Sequence, residues 1–167
     1  MELIVGKSRL KGAVAIPGSK SHTIRAVAIA SLAEGESFIR APLDSSDTQA
    51  AVACYRALGA AIDTSDPKCW RVRGTAGKIS TPGQIIDVGN SGTTLRVAMG
   101  SAALAATDQN ITFTGDEQIQ SRPVGPLIDS LNDLGAKCIS LKHNGKVPVK
   151  IAGKLTGGKT TIAAATR

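Results

Sequence analysis

Residues 13–33 read AVAIPGSKSHTIRAVAIASLA, and this stretch decides the fold class. The apolar run at 13–16 predicts a short buried strand, and the Pro-Gly-Ser that follows predicts a turn. From residue 20 to about residue 32, Ala and larger apolar residues recur at helical spacing, with Ser19 or Ser21 available as the N-terminal cap. A strand, a turn and a helix are therefore predicted in this order, which is typical of α/β proteins.

The same order of elements is predicted twice along the chain. In the first unit, a strand at 37–40, a helix at 45–58 and strands at 61–64 and 70–73 follow the opening strand and helix. The second unit has a strand at 84–87, a helix at 92–104, a strand at 110–114, a helix at 124–134 and strands at 137–141 and 149–151. We therefore predict an α/β fold of two repeated β-α-β-α-β-β units.

Matching residues support a duplication of one unit. Leu58-Gly59-Ala60 recurs as Leu134-Gly135-Ala136, and we also match Phe38 with Phe113 and Arg25 with Arg96. The period is too long for a solenoid repeat, so two copies of a lobe-sized unit are indicated. The glycine of each LGA tripeptide also fits the end of a helix, so the order of the elements is the stronger argument.

The charge of the chain is unevenly distributed. The formal net charge is +7, yet residues 1–136 hold thirteen basic and thirteen acidic side chains, so the whole excess lies in residues 137–167. No aromatic residue accompanies the lysines of that segment, which favours a solvated face over a nucleic-acid groove. We expect no nucleic-acid partner.

Cysteine usage and hydropathy point to the cytoplasm. Cys54, Cys69 and Cys138 are odd in number and far apart, which favours reduced buried thiols over disulfides or a zinc site. No stretch is long and apolar enough for a membrane span, and the N-terminal residues lack a signal-peptide pattern. The prediction is a cytoplasmic protein without a membrane partner.

The first candidate site is the turn before the first helix. Free backbone N–H groups at a helix start favour an anion, and Lys20, Ser21 and Arg25 are spaced to converge there. The P-loop pattern fails, because five residues separate Gly12 from Gly18 and Ser19 precedes the lysine. A capped helix with two exposed cations remains the alternative.

A second candidate lies at the matching junction of the second unit, where Gly89-Asn90-Ser91-Gly92-Thr93-Thr94-Leu95-Arg96 leads into a helix. Two glycines allow a ligand close to the backbone, and Arg96 follows one turn later. A well-capped helix, with Asn90 or Ser91 as its cap, is again the alternative.

The third candidate is the polar loop at 114–123. We expect Pro123 at the first position of the next helix and Arg122 as its cap, with a guanidinium suited to a carboxylate. Asp116 and Glu117 are interpreted as solvated or structural. The two histidines, His22 and His143, are too isolated for a metal site.

Together, the motifs resemble a known family. IPGSKSHTIRA, LDSSDT, GNSGTTLR, TGDEQIQSRP and the LGA endings are similar, in this order, to the signatures of the 5-enolpyruvylshikimate-3-phosphate (EPSP) synthase family and span residues 13–138. The resemblance implies two domains built from β-α-β-α-β-β units. It also implies transfer of the enolpyruvyl group of phosphoenolpyruvate (PEP) to the 5-hydroxyl of shikimate 3-phosphate, with release of phosphate and without a metal or organic cofactor.

The resemblance also implies roles for individual residues. Lys20 resembles the lysine that touches both substrates and assists proton transfer, and Ser21 and Arg25 resemble ligands of shikimate 3-phosphate. The residues implied for the PEP site are Asn90, Gly92, Thr93, Arg96 and Arg122. Val97 departs from the proline that often follows the arginine in this motif, which leaves the response to glyphosate open.

Family members are well over twice as long as this chain. The resemblance therefore implies an N-terminal part whose partner is the C-terminal remainder, and which has no turnover alone. It implies a strand in 1–12 that pairs with the missing domain, units at 13–76 and 77–155, and the start of a third unit at 156–167. Alternatives are a fragment of UDP-N-acetylglucosamine enolpyruvyl transferase, although the loop at 114–123 lacks that family's cysteine, and a non-enzymatic module that binds anions or RNA.

Overall fold

The computed structural model describes residues 3–9, 11–80, 85–105 and 110–162. Within them the chain forms the helices α1 Lys20–Leu32, α2 Ser46–Ala57, α3 Gly92–Ala102, α4 Glu117–Ser121 and α5 Gly125–Asp133. The strands are β1 Glu36–Arg40, β2 Ala61–Asp63, β3 Cys69–Arg73, β4 Ile85–Asp87, β5 Ile111–Thr114, β6 Lys137–Ser140 and β7 Val149–Ala152. Helices and strands are interleaved as the α/β prediction required, and Gln84 of the strand predicted at 84–87 lies outside the described residues.

The strands form two sheets. The first sheet is antiparallel with the order β1-β3-β2, and Ile39 of β1 lies opposite Trp70 of β3. The second sheet has the order β4-β5-β7-β6, with β4 parallel to β5 and the other pairs antiparallel. A parallel pair requires a crossover connection, and α3 provides the one between β4 and β5.

The helices join the two sheets through one core. Helix α1 packs against α2 and α3, and the buried side chains of both units form one continuous cluster. A buried hydrogen bond of 2.8 Å also links the Tyr55 hydroxyl of α2 to Ser101 Oγ of α3. The cluster consists mostly of aliphatic residues, as a sequence with so few aromatic residues requires.

The predicted strand at 13–16 is not formed. Val14 is 83% exposed and Ile16 is 85% exposed, because neither packs against the core. The neighbouring residues 3–9 are also without regular structure, so the strand expected in 1–12 is absent from its described part. Strand β1 of the first sheet corresponds to β5 of the second sheet, and β4 pairs with the free side of β5. Within the described residues, the corresponding side of β1 therefore has no strand beside it.

The LGA repeats are structurally equivalent. Gly59 and Gly135 follow the ends of α2 and α5 with φ of 105° and 100°, a left-handed conformation that glycine adopts without strain. Each is followed by an alanine whose N–H donates to a carbonyl five residues earlier, at 3.0 Å in both cases. Both turns are therefore Schellman motifs, which supports the duplication.

The match of Phe38 with Phe113 was wrong. Phe38 points away from the core and is 58% exposed, whereas Phe113 is fully buried. In β1 the core-facing position is that of Ile39, which packs against the core from the same strand. A one-residue shift along a strand turns a side chain to the opposite face, so a sequence match one residue out of register reverses burial.

The loop at 114–123 differs from its prediction. Residues Glu117–Ser121 form the short helix α4, and α5 begins only at Gly125, with Pro126 in its first turn. Arg122 is therefore the C-terminal cap of α4 rather than the N-terminal cap of α5, and Pro123 lies between the helices. Asp116 explains the difference, because its carboxylate caps α4 by accepting from the Ile119 N–H.

Two expectations about the ends of the units stay predictions. The boundaries predicted at 13–76 and 77–155 place one sheet in each unit. Residues 156–162, assigned to a third unit, have no regular structure, and 163–167 lie outside the described part. Among the described helices, none is both long and apolar enough to cross a membrane.

Candidate functional site

The turn before α1 is fastened to the loop before α2. Ser19 caps α1, accepting a 3.4 Å hydrogen bond from the His22 N–H. Thr23 Oγ1 accepts a 3.0 Å bond from the Leu43 N–H. Gly18 lies so close to this loop that an added Cβ would come within 2.6 Å of the Ala41 carbonyl oxygen. These contacts fix where the backbone presents Lys20.

Lys20 makes an ion pair that the sequence did not reveal. Its Nζ atom lies 2.7 Å from Asp47 Oδ2, so the start of α1 is linked to the first turn of α2. Asp47 belongs to the motif LDSSDT, but its acidic position after the capping Ser45 suggested only helix capping. No local signal connects residues 27 positions apart.

Ser21 and Arg25 lie on the same helix as Lys20. The Arg25 side chain folds back along α1, where its Nη1 donates a 3.1 Å hydrogen bond to the Ser21 carbonyl oxygen. Ser21 is half-buried and Arg25 is exposed. Arg25 is therefore turned toward Ser21 at the start of α1, while the Lys20 ammonium is paired with Asp47.

The second cluster surrounds Gly92, the first residue of α3. A Cβ added to Gly92 would lie 3.0 Å from Arg122 Nη1 and 3.1 Å from Arg96 Nη1, so both guanidinium groups face the glycine from the same side. Ser91 caps the helix with its side chain, and Thr93 is half-buried beside it. Two cations thus converge on a helix start, where the helix dipole favours an anion.

The two arginines are held differently. Arg96 donates to the Gly92 carbonyl at 3.1 Å and to the Pro123 carbonyl at 3.2 Å, so its guanidinium is braced by the protein. Within the described residues, no hydrogen bond from the Arg122 guanidinium to another group is found. As far as the described part of the chain goes, the Arg122 guanidinium therefore keeps its donors for a ligand.

Asn90 is held by the loop that follows β5. Its Nδ2 donates to Asp116 Oδ2 at 2.8 Å and to Gln118 Oε1 at 3.0 Å. The ionised Asp116 carboxylate can only accept hydrogen bonds, so the Asn90 amide must turn its nitrogen, and not its oxygen, toward Asp116. A direct bond from this amide nitrogen to an anion requires one of the two existing bonds to open. Asp116 thus has the structural role expected of it.

The predicted residues therefore form two groups. Gly92, Thr93, Arg96 and Arg122 surround the start of α3, with Asn90 on the adjoining loop, while Lys20, Ser21 and Arg25 lie at the start of α1. Helices α1 and α3 pack against each other. A single cleft shared by both groups stays a prediction.

The remaining titratable groups have structural surroundings. Burial raises the pKa of Cys54 and of Cys138 to about 12, so these thiols stay protonated at neutral pH. Cys69 is only half-buried, in contrast to the expectation of three buried thiols. Among the described residues, no group of three or more His, Cys, Asp or Glu side chains is arranged to hold a metal ion.

Known proteins are similar to this chain over almost its whole length. The family model for EPSP synthase (3-phosphoshikimate 1-carboxyvinyltransferase) matches residues 4–166. A 3-phosphoshikimate 1-carboxyvinyltransferase of Acetivibrio thermocellus is 52% identical over 166 residues, covering 99% of this chain and 38% of that protein. One from Methanothermobacter thermautotrophicus is 46% identical over 164 residues, covering 97% of this chain and 38% of that protein.

The fold also has a solved counterpart. An EPSP synthase structure from Acinetobacter baumannii superposes with a TM-score of 0.83 at 25% identity, covering 96% of this chain and 37% of the other. The chain thus spans a little over a third of the length of the proteins that it matches.

Proposed function

This chain belongs to the EPSP synthase family, and on that basis we propose that it supplies the anion-binding part of an enolpyruvyl transferase. The reaction moves the enolpyruvyl group of PEP to the 5-hydroxyl of shikimate 3-phosphate and releases phosphate. The partners are these two small anions and the C-terminal part of the enzyme.

The observation that supports this proposal is the convergence of Arg96 and Arg122 on Gly92. PEP carries a phosphate and a carboxylate, and a planar guanidinium pairs with either group through two parallel hydrogen bonds. The missing side chain of Gly92 leaves room for both guanidinium groups at the start of α3, and this is the space proposed for the anion. Thr93 lies beside this space. The hydrogen bonds from Asn90 to Asp116 and Gln118 hold the loop before α3 in place.

The start of α1 is assigned to the other substrate. Ser21 and Arg25 bind shikimate 3-phosphate, and Arg25 exchanges its bond to the Ser21 carbonyl for one to the ligand. Lys20 contacts both substrates and assists proton transfer. The site residues are thus Lys20, Ser21, Arg25, Asn90, Gly92, Thr93, Arg96 and Arg122.

The proposed reaction needs cations that offset the negative charge of the substrates and a cleft that excludes water. The 5-hydroxyl oxygen bonds to C2 of PEP as it loses its proton and C3 gains one, which gives a tetrahedral intermediate. Loss of a proton from C3 then expels phosphate and restores the double bond, and fixed cations offset the negative charge throughout. Proton transfer also needs acidic partners, which none of the site residues here provides. We therefore expect turnover only when the remaining part of the enzyme completes the cleft and shields it from water.

Calorimetric titration of the chain with PEP, shikimate 3-phosphate and an RNA oligomer tests the binding assignment. Weak, saturable binding of shikimate 3-phosphate is expected, because half of a cleft leaves the ligand solvated and its charge screened. Steeply salt-dependent RNA binding without saturable binding of either acid would instead identify a nucleic-acid module.

Complementation tests the reaction itself. Phosphate release from both substrates is expected from the chain mixed with a separately expressed C-terminal part, and not from the chain alone. In the mixture, Arg122→Lys should impair the use of PEP far more than that of shikimate 3-phosphate, since lysine cannot pair bidentately. Arg71→Lys, a change on the exposed side of β3, is the control. Equal losses for both substrates would contradict the role of Arg122.

A further inference from the structure

The Lys20–Asp47 pair joins the starts of two helices. Lys20 is the first residue of α1, and Asp47 is the second residue of α2. The lysine side chain is 53% exposed and the aspartate side chain 20% exposed, so the carboxylate is the better-anchored partner. The 2.7 Å separation allows a direct charge-assisted hydrogen bond.

The backbone on both sides of the pair is held in place. Helix α2 starts with a capping box in which Ser45 and Thr48 bond each other reciprocally, so Asp47 lies within a fixed turn. The close approach of Gly18 to Ala41 ties the turn before Lys20 to the loop before α2. Asp47 is thus presented to Lys20 by rigid structure and not by a mobile loop.

A free lysine side chain samples many rotamers, and ordering it for a ligand costs conformational entropy. A fixed carboxylate beside the ammonium removes much of that freedom before the ligand arrives. The same carboxylate also competes with an anionic ligand for the positive charge. Both effects act on Lys20 and require no contact between Asp47 and the ligand.

We propose that Asp47 is a positioning residue for Lys20, which holds the ammonium at the start of α1 until an anion displaces or shares the carboxylate. The inference rests on the proposed function for the identity of the anion. The pairing itself does not, because it exists without a ligand. Asp47 is therefore a positioning residue and not a catalytic one.

Asp44 offers a matched control for the charge. It lies three residues before Asp47, in the loop that leads into α2, is exposed, and accepts a 2.8 Å hydrogen bond from Gln49 Nε2. Asp44→Asn therefore removes the same unit of charge near α1 without removing the partner of Lys20. Asp47→Glu is the conservative variant, since it retains the carboxylate.

The first measurement needs no ligand. Trace acetylation followed by mass spectrometry gives the rate at Lys20 relative to the exposed Lys78 in the same molecule. Asp47→Asn should raise this ratio about two- to five-fold, the range set by the strength of exposed ion pairs, and Asp47→Glu should restore it. Asp44→Asn should leave it unchanged. An equal ratio in the wild type and in Asp47→Asn would overturn the proposal.

The second measurement uses inorganic phosphate as the anion, titrated by calorimetry. Asp47→Asn should tighten its binding about two- to five-fold, because release of the ammonium from the competing carboxylate outweighs the ordering of one exposed side chain. This gain should vanish when Lys20→Met is added. A gain of the same size with and without Lys20 would overturn the proposal. Failure of the proposed function is separate: it would appear as no binding of PEP or shikimate 3-phosphate by the wild type, whatever the acetylation ratios.

Discussion

Arg122 Nη1 lies 3.0 Å from the position that a Cβ atom on Gly92 would occupy, and Arg96 Nη1 lies 3.1 Å from the same point. These distances are shorter than normal carbon–nitrogen contacts, so a methyl group at residue 92 would push both guanidinium groups aside. The proposed anion site is therefore built around the missing side chain of Gly92.

Gly92→Ala should weaken binding of PEP or inorganic phosphate about three- to ten-fold, the effect expected when a charge-assisted hydrogen bond is misaligned. Gly100→Ala, in the same helix, is the control, because a Cβ there meets nothing within 4 Å. It should leave binding unchanged and stabilise the fold by about 0.5–1 kcal/mol. Calorimetric titration of both variants is the measurement, and equal affinities would contradict the geometry.

The buried bond between Tyr55 and Ser101 gives unequal effects on its two sides. Tyr55→Phe leaves Ser101 Oγ hydrogen-bonded to the Val97 carbonyl, so the free energy of unfolding should fall by only about 1 kcal/mol. Ser101→Ala leaves the buried Tyr55 hydroxyl without this hydrogen bond and should lower the free energy of unfolding by about 1–3 kcal/mol. Urea unfolding followed by the fluorescence of buried Trp70 gives both values. A double variant costing the full sum would show that the two groups are not coupled.

Alkaline pH should destabilise the fold. Burial raises the pKa of Tyr55 from 10.0 to about 12, and it raises the pKa of Cys54 from 9.0 to about 12. The unfolded chain releases these protons at lower pH than the folded chain, so the contribution to stability is complete below pH 9 and is lost as pH rises toward 12. Urea unfolding between pH 8 and pH 11 measures the decline. Tyr55→Phe should flatten it above pH 10, and a pH-independent midpoint would contradict the prediction.

The two Schellman glycines should differ in their tolerance of alanine. Both have positive φ, which costs about 1 kcal/mol for an alanine. At Gly59 the nearest atoms lie 3.6 Å from an added Cβ, so little is added to that cost. At Gly135 the Cβ would collide with Thr156 Oγ1, so Gly135→Ala should lose clearly more stability. Thermal melting of the pair decides this, and equal losses would show that Thr156 moves away freely.

Sequence reasoning succeeded where the signals are local. Helix α1 occupies residues 20–32 as predicted, because both its apolar spacing and its cap lie within the segment. The strand at 13–16 failed because a strand requires a partner, and apolar residues cannot show whether one is present. Arg122 was assigned to the wrong helix because the Asp116 cap creates α4 from a stretch with no apolar repeat.

The site shows the same division. The arginines and Gly92 were identified from motif and spacing, but their convergence depends on how β4 and β5 pair, which places the two loops side by side. The contact between Asp47 and Lys20 was missed because it depends on α1 packing against α2. Contacts between distant segments are decided by tertiary packing, which no single segment encodes.

The continuous core shared by the two sheets has a thermodynamic consequence. In stacked repeat proteins each unit meets only its neighbour, and unfolding proceeds through partly folded species. Here α1, α2 and α3 interleave their buried faces, so removing either unit exposes the apolar surface of the other. We therefore expect the two predicted units to unfold in one cooperative transition, and a chain cut between β3 and β4 to give two halves that each lack a finished interior.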